Sequence, residues 1–153
     1  MSKDVETVER VIPAPPEKIF ALLKDANRHK DFDGSGTVRD AHGEPEPLTL
    51  GSKFGMHMKI GMPYSMVSTV VEYDENRRIA WQPRPGYPIA NKLAGGRIWR
   101  YELEPVEGGT LVRESWDITH EAALSKPAVR PARGRTREAM EKTLERLEQI
   151  VTS

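Results

Sequence analysis

Glu114 is the residue of this chain whose position points most directly to chemistry. The segment 110–118 is predicted as a strand with Val112, Trp116 and Ile118 on one face, and alternation places Glu114 on that same face. A carboxyl group on an apolar face is costly to bury unless it is paired or hydrogen-bonded. It could anchor a ligand hydroxyl, act as a general base with a raised pKa, form a structural hydrogen bond, or lie exposed near the strand end.

The preceding strand supplies aromatic neighbours for this carboxyl group. Two registers of the hairpin are open, and in the first Tyr101 lies opposite Glu114 while Trp99 lies opposite Trp116. In the second, Trp99 lies opposite Glu114. Either register brings an aromatic side chain with a polar edge close to the carboxyl group. Arg97 shares the inward phase of this strand and could reach the carboxyl group as well.

A wider set of large side chains shares the predicted inner face. It holds all three tryptophans, and four of the six methionines lie between Met56 and Met66. Methionine adapts to varied apolar shapes, and apolar pockets with a few polar groups are typical of small-ligand sites. The same residues would also suit an ordinary core. The candidate ligand-binding residues are Met56, Met58, Trp81, Trp99, Tyr101, Glu114, Trp116 and Met140.

Alternating apolar residues predict the strands that would position this face. A helix is predicted over Pro16–Lys24, because prolines suit a first turn and an apolar stripe follows. A short polar helix or turn follows through 25–31, and 61–63 is predicted as a turn. The predicted strands are 6–12, 37–41, 54–60, 64–73, 77–82, 97–104 and 110–118.

The clearest element is a C-terminal helix from Thr136 onward. Apolar residues from Ala139 to Val151 recur at helical spacing, which predicts an amphipathic helix of about four turns. Strands joined by short turns favour an antiparallel meander, and this helix is the long element available to cover its apolar face. We therefore expect a single α+β domain over residues 1–153, with a curved antiparallel sheet wrapped around the C-terminal helix and short helices after the first strand.

Two loops are candidates for the mouth of a site. The stretch 83–96 is predicted to be irregular, and Tyr87, Ile89 and Leu93 could form a lid there. The stretch 43–47 holds two prolines and a glycine and is a second candidate. Either could equally be an ordinary surface loop.

Composition excludes several classes of function. The 153 residues contain no cysteine, which rules out disulfides and thiolate chemistry. Basic and acidic residues are equal in number, so no overall field attracts nucleic acid or anionic lipid. No apolar run is long enough for a membrane span, and the first ten residues lack the apolar core of a signal peptide. A cytoplasmic protein is the default expectation.

The histidines do not predict a metal site. The four are scattered without ligand spacing, and His57 is expected to point outward. His29, with Asp31 and Asp33, is interpreted as part of a solvated polar loop. No metal and no cofactor are expected, and no phosphate loop, nucleophile elbow or dinucleotide-binding unit is present in the sequence.

A basic run precedes the final helix within a stretch, 120–134, that is predicted to be irregular. The run is interpreted as a solvated flank that Glu121, Glu138 and Glu141 partly offset, and not as a nucleic-acid patch, because phosphate binding usually involves a basic domain. Its members are Lys126, Arg130, Arg133, Arg135 and Arg137.

Five segments of the chain carry a family resemblance: 11–25, 51–54, 77–81, 99–105 before Gly109 and Thr110, and 140–147. They resemble the START-like helix-grip superfamily, and within it the polyketide cyclase/dehydrase-type branch (SRPBCC). The resemblance covers nearly the whole chain and implies the helix-grip fold. The family includes lipid and polyketide binders, aromatase/cyclases, stress proteins and co-chaperones, so it does not fix one function.

Three functions follow from the resemblance and the inner face together. The leading hypothesis is a binding or carrier protein for a small hydrophobic ligand, such as a lipid, polyketide or aromatic metabolite, in a cavity between sheet and helix. The alternative is a cyclase-, dehydratase- or isomerase-like enzyme that uses Glu114, Tyr101 or Arg97. A protein-binding module is the third. The expected partner is a hydrophobic small molecule, without nucleic acid or membrane span, and the protein is expected to be a monomer or homodimer.

Overall fold

Seven strands form one antiparallel sheet in the part of the chain that the computed structural model describes. That part is residues 4–34, 38–42, 47–60, 62–85, 96–123 and 125–153, without the side chains at 38–42, 56–60, 62–65 and 85. The order across the sheet is β1-β7-β6-β5-β4-β3-β2. The strands are β1 Val5–Ile12, β2 Val38–His42, β3 Lys53–Ile60, β4 Met62–Asp74, β5 Arg78–Pro85, β6 Ile98–Val106 and β7 Gly109–Asp117.

The sheet is a meander from β2 to β7, with β1 added beside β7. The pairing of β1 with β7 places Val8 opposite Glu114 and Ile12 opposite Thr110. Glu114 therefore lies on a strand that has neighbours on both sides, and its side chain faces the same layer as the buried Val8 and Val112.

Two strands extend further than the sequence predicted, and prolines occupy the extensions. Pro63 was expected in a turn but lies in β4, before the first β4–β5 pair at Met66. Pro83 and Pro85 were expected in an irregular stretch but belong to β5 beyond its last pair with β6, which is at Trp81. Proline has no N–H to donate, so strand positions without a partner on one side tolerate it.

Helix α1, Pro16–Leu23, crosses over after β1. Pro16 occupies the first turn, where its missing N–H costs nothing, and Glu17 places a negative charge at the helix N-terminus. The helix buries Ile19, Phe20, Leu22 and Leu23. It ends one residue before the predicted boundary.

A 3-10 turn over Ala26–Arg28 and one helical turn, α2, His29–Phe32, follow α1. The Asp25 side chain accepts a hydrogen bond from the Asn27 N–H at 3.0 Å, which begins the 3-10 turn. The α2 turn then directs both His29 and Phe32 into the protein interior.

The C-terminal helix, α4, Arg133–Thr152, begins three residues before the predicted start. The preceding stretch, predicted to be irregular, contains the short helix α3, Lys126–Val129, and a 3-10 turn over Arg130–Ala132. Pro127 and Pro131 lie in this stretch, and both occupy first turns, where proline is accommodated. No helix of the described residues is long and apolar enough to cross a membrane.

The core lies between the sheet and α4. The helix contacts β1, β7, α1 and α2, and its buried residues are Met140, Thr143, Leu144, Leu147 and Val151. From the sheet, Val70, Ile79, Leu103 and Val112 are among the residues that complete this layer. The helix therefore covers the inner face that carries Glu114.

Candidate functional site

Tyr101 and Glu114 form a buried pair on the inner face of the sheet. The two residues lie directly opposite each other in the β6–β7 hairpin, and Trp99 lies opposite Trp116. Of the two registers that the sequence left open, the first is therefore the one that forms. The Tyr101 hydroxyl donates a hydrogen bond to Oε2 of Glu114 at 3.0 Å. Each residue is 3% exposed.

The second oxygen of Glu114 is less well satisfied. Among the described residues, Oε1 is buried and has no hydrogen-bond partner. A buried polar atom without a partner costs about 1–3 kcal/mol. The chain therefore maintains a destabilising group in the middle of its inner face, which is more common at functional sites than in ordinary cores.

The surroundings of Glu114 favour its protonated form. Burial raises the pKa of Glu114 well above its usual value, the Tyr101 hydrogen bond lowers it by less, and the negative charge of Asp33 raises it again. Burial also raises the pKa of Tyr101 well above its usual value, so this hydroxyl remains a donor. Both shifts act in the same sense, so burial favours a protonated carboxyl group beside a neutral phenol.

Arg97 does not reach this pair as the sequence analysis suggested. Its guanidinium lies 3.2 Å from Oε1 of Glu121, whose side chain is fully buried, and the Ser125 hydroxyl also contacts Glu121. Gln82 donates to the carbonyl oxygen of Gly96 at 2.7 Å and so holds the residue before Arg97. The Arg97–Glu121 ion pair therefore connects the residue before β6 to the segment that follows β7.

An aromatic cluster continues the inner face from Tyr101. The Tyr101 ring lies 5.4 Å from the Trp81 ring, and Trp81 stacks on His29 at 4.6 Å with an interplanar angle of 19°. Phe32 and Phe54 each meet the His29 ring edge-on at 5.4 Å. Such contacts fix ring orientations in addition to burying apolar area.

His29 was expected in a solvated loop, and this expectation is wrong. The side chain is 4% exposed, and Nε2 lies 2.8 Å from the Leu23 carbonyl oxygen. A carbonyl only accepts, so Nε2 carries the proton of the neutral ring. Burial lowers the pKa of His29 to about 4. The signal that the sequence analysis missed is Phe32 three residues later, which on a helical turn shares a face with His29.

The segment after α2 docks against α4 close to the pair. The Gly34 N–H donates to Oγ1 of Thr143 at 2.8 Å, and Arg146 donates to the Asp33 carbonyl oxygen. The approach is so close that a Cβ at Gly34 would lie 2.1 Å from the Ala139 carbonyl oxygen. This docking holds Asp33 where its charge acts on both Tyr101 and Glu114.

The predicted site residues occupy the inner face to different depths. Trp99 is only partly buried and packs against the core. Met56 and Met58 lie in β3, but their side chains fall outside the described part of the structure. The predicted lid with Tyr87, Ile89 and Leu93, and most of the 43–47 loop, also lie outside it. The buried members are Trp81, Tyr101, Glu114, Trp116 and Met140.

The basic run beside α4 is attached to the N-terminal strand. Asp4, just before β1, pairs with Lys126 at 2.9 Å and with Arg130 at 3.2 Å. Glu6 in β1 contacts Arg133 and Arg137, which lowers the pKa of Glu6. The sequence analysis named other acids as partners; of these, Glu141 does pair with Arg137, at 3.3 Å.

The curved antiparallel sheet closed by a long C-terminal helix defines the helix-grip class of proteins. The chain belongs to the polyketide cyclase/dehydrase and lipid transport family, whose pattern it matches over residues 5–152. An uncharacterized protein of Mycobacterium tuberculosis strain H37Rv is 35% identical over 113 residues, which is 73% of this chain and 46% of the relative. The chain thus spans about half the length of this relative.

Solved structures share the fold at low sequence identity. A protein from Chromobacterium violaceum gives a TM-score of 0.73 at 14% identity and covers 99% of both chains. A protein from Nitrosomonas europaea also gives 0.73, at 16% identity, over 99% of this chain and 96% of the other. DynU16, a protein in the dynemicin biosynthetic locus, gives 0.68 at 12% identity over 98% of this chain and 48% of its own. These similarities show the fold alone.

Proposed function

We propose that this protein binds a small hydrophobic ligand between its sheet and helix α4, as a binding or carrier protein. One observation carries the proposal: Glu114 is buried on an aromatic and apolar face, and among the described residues its Oε1 has no partner. Apolar surroundings with one or two placed polar groups are what small-ligand sites have in common. Membership of a family that includes lipid transport agrees with this proposal.

The aromatic cluster supports the same proposal. Tyr101 contacts the carboxyl group, Trp81 packs against Tyr101, and the neutral His29 stacks on Trp81, so aromatic rings extend from Glu114 across the inner face. A neutral, polarisable surface of this kind suits an apolar or aromatic molecule better than a charged one. The ligand would contact the rings with its apolar part and reach Glu114 with a polar atom.

An enzyme of the cyclase, dehydratase or isomerase type is the second candidate. The observation that favours it is the Tyr101–Glu114 hydrogen bond, which places a protonated carboxyl group and a phenol together in a site shielded from water. Such a pair can donate a proton to a substrate oxygen. Incubation of the protein with the molecule that it retains, followed by mass spectrometry for loss of water and by chromatography for an isomer of the same mass, separates an enzyme from a carrier.

Native mass spectrometry of freshly purified protein tests the binding proposal first. A retained apolar molecule that is released on denaturation is the expected result. Titration with N-phenyl-1-naphthylamine gives a second measurement, because all three tryptophans lie on the inner face and transfer energy to a probe bound there. Trp81→Phe should reduce the transfer, whereas Val11→Ala, at an exposed position of β1, should leave it unchanged. A clean mass together with no saturable probe binding contradicts the proposal.

A further inference from the structure

We propose that the ligand presents an uncharged oxygen acceptor, such as a carbonyl, ether or hydroxyl oxygen, to Oε1 of Glu114. This inference rests on the proposed function and narrows the ligand from any hydrophobic molecule to an oxygenated, uncharged one. It depends on where the carboxyl proton lies, on what that proton can reach, and on which charges surround it.

The geometry assigns the proton of Glu114 to Oε1. The Tyr101 hydroxyl donates to Oε2, so Oε2 already acts as the acceptor of the pair. A neutral carboxyl group has one O–H donor, and the free Oε1 is the oxygen left to carry it. The side chain then presents a hydrogen-bond donor on the inner face that helix α4 covers.

This donor has no acceptor among the described residues. A buried O–H that finds no acceptor is destabilising, and a ligand oxygen at hydrogen-bond distance removes that cost. The gain is specific, because an apolar group of the same shape leaves the O–H unpaired. The site should therefore discriminate between a carbonyl compound and its hydrocarbon analogue.

The charges around Glu114 disfavour an anionic ligand. Asp33 contributes a negative charge that acts on Glu114 directly. Two arginines of the described chain are paired elsewhere: Arg97 with Glu121 at 3.2 Å, and Arg10 with Glu148 at 3.2 Å. A carboxylate on the ligand would lose its hydration without gaining an available counter-ion among these groups. An uncharged oxygen avoids that loss.

Three naphthalene probes of nearly equal size test the inference by competition with N-phenyl-1-naphthylamine. They are 2-acetonaphthone, which carries a ketone, 2-isopropenylnaphthalene, in which a methylene replaces the ketone oxygen, and 2-naphthoate, which is anionic. We expect the ketone to bind about tenfold more tightly than the alkene, and the naphthoate to bind most weakly. The infrared carbonyl stretch of the bound ketone should move to lower frequency.

Variants at Glu114 separate the hydrogen bond from general packing. Glu114→Leu should abolish both the preference for the ketone and the infrared shift, whereas Glu114→Gln, whose amide can donate, should keep both. Glu107→Leu, at an exposed turn position, is the control. If Glu114→Leu does not fold, Tyr101→Phe with Glu114→Leu removes the carboxyl group without leaving the phenol unpaired.

The outcomes distinguish this inference from the proposed function. Equal affinity of wild-type protein for ketone and alkene overturns the inference and leaves hydrophobic binding intact. Tighter binding of the naphthoate overturns the uncharged character of the ligand. Failure of all three probes and of N-phenyl-1-naphthylamine to bind overturns both the inference and the proposed function.

Discussion

The hydroxyl of Tyr101 donates to Oε2 of Glu114 across 3.0 Å, from the directly opposite position of the neighbouring strand. This single bond satisfies one half of the carboxyl group, and Oε1 has no partner among the described residues. The pair is thus not optimised for stability. Its energetic behaviour provides a way to test whether it serves the fold or a ligand.

Replacing both members of the pair should not destabilise the protein. Tyr101→Phe alone should lower the free energy of unfolding by about 1–3 kcal/mol, because it leaves Oε2 without its donor. Tyr101→Phe with Glu114→Leu should be at least as stable as wild type at pH 7, since two apolar groups replace a half-satisfied buried pair. Urea denaturation of the four proteins of this cycle measures both effects. A double variant clearly less stable than wild type would show that the pair stabilises the fold.

Glu114 should make stability fall as the pH rises. The unfolded chain loses the Glu114 proton near pH 4.5, whereas burial keeps the folded group protonated to higher pH. The free energy of unfolding therefore falls by up to about 1.4 kcal/mol per pH unit above pH 4.5, until the pH passes the pKa of Glu114 in the folded state. Glu114→Leu should remove this slope. Glu107→Gln, at an exposed position, should retain it, and urea denaturation between pH 5 and pH 8 measures the difference.

His29 should act in the opposite direction at lower pH. Its folded pKa of about 4 lies below the ordinary value of 6.5, so the unfolded chain binds a proton first as the pH falls. The neutral ring thus contributes about 3 kcal/mol to the free energy of unfolding above pH 6.5, and this contribution is lost progressively as the pH falls towards 4. His29→Gln should remove this acid sensitivity, and His120→Gln, at an exposed histidine, should not. Denaturation curves at pH 4.5 and pH 7 that shift equally for wild type and His29→Gln would contradict this expectation.

The close approach of Gly34 to α4 should not tolerate a side chain. Gly34→Ala would place a methyl group against the Ala139 carbonyl oxygen and the Thr143 amide, so we expect a loss of about 1–3 kcal/mol. Gly134→Ala is the matched control, because nothing lies within 4 Å of its Cβ position in the first turn of α4. That variant should gain up to about 1 kcal/mol from helix propensity. Thermal unfolding of the two variants compares them directly.

Displacement of the docked segment also bears on the site. If Gly34→Ala moves Asp33 away, the pKa of Glu114 should fall towards its usual value, because one negative charge leaves its surroundings. The fall in stability above pH 4.5 should then level off at a lower pH in Gly34→Ala than in wild type. Levelling off at the same pH in both proteins would show that Asp33 stays in place.

The hairpin and its facing residues were predictable because they depend on local rules. Strict alternation assigns Tyr101 and Glu114 to one face, and a short turn leaves few registers, of which the structure shows the one with Tyr101 opposite Glu114. The burial of His29 was not predictable in the same way. A single helical turn gives too short a periodic signal, and three polar neighbours suggested solvent.

The partners of charged residues were the least predictable feature. Arg97 was a candidate partner for Glu114 by phase alone, yet it binds Glu121, which lies 24 residues later in the chain. The same holds for Glu6 and Arg133, which are 127 residues apart. Alternation predicts which face of the sheet a side chain occupies, but the ion-pair partner of a long, flexible side chain is determined by tertiary packing.

The pairing of β1 with β7 has a consequence for how the protein folds. Thr7 and Ser115 contact each other at 2.9 Å although 108 residues separate them. Closing so long a loop costs chain entropy before the stabilising contacts between the two strands can form. Sheets rich in such distant pairs therefore fold slowly, in milliseconds to seconds. A ribosome must also have released α4 before the helix can cover the face that β1 and β7 complete. The covered inner face therefore forms only after α4 has left the ribosome, and the Tyr101–Glu114 pair is not buried under the helix before that point.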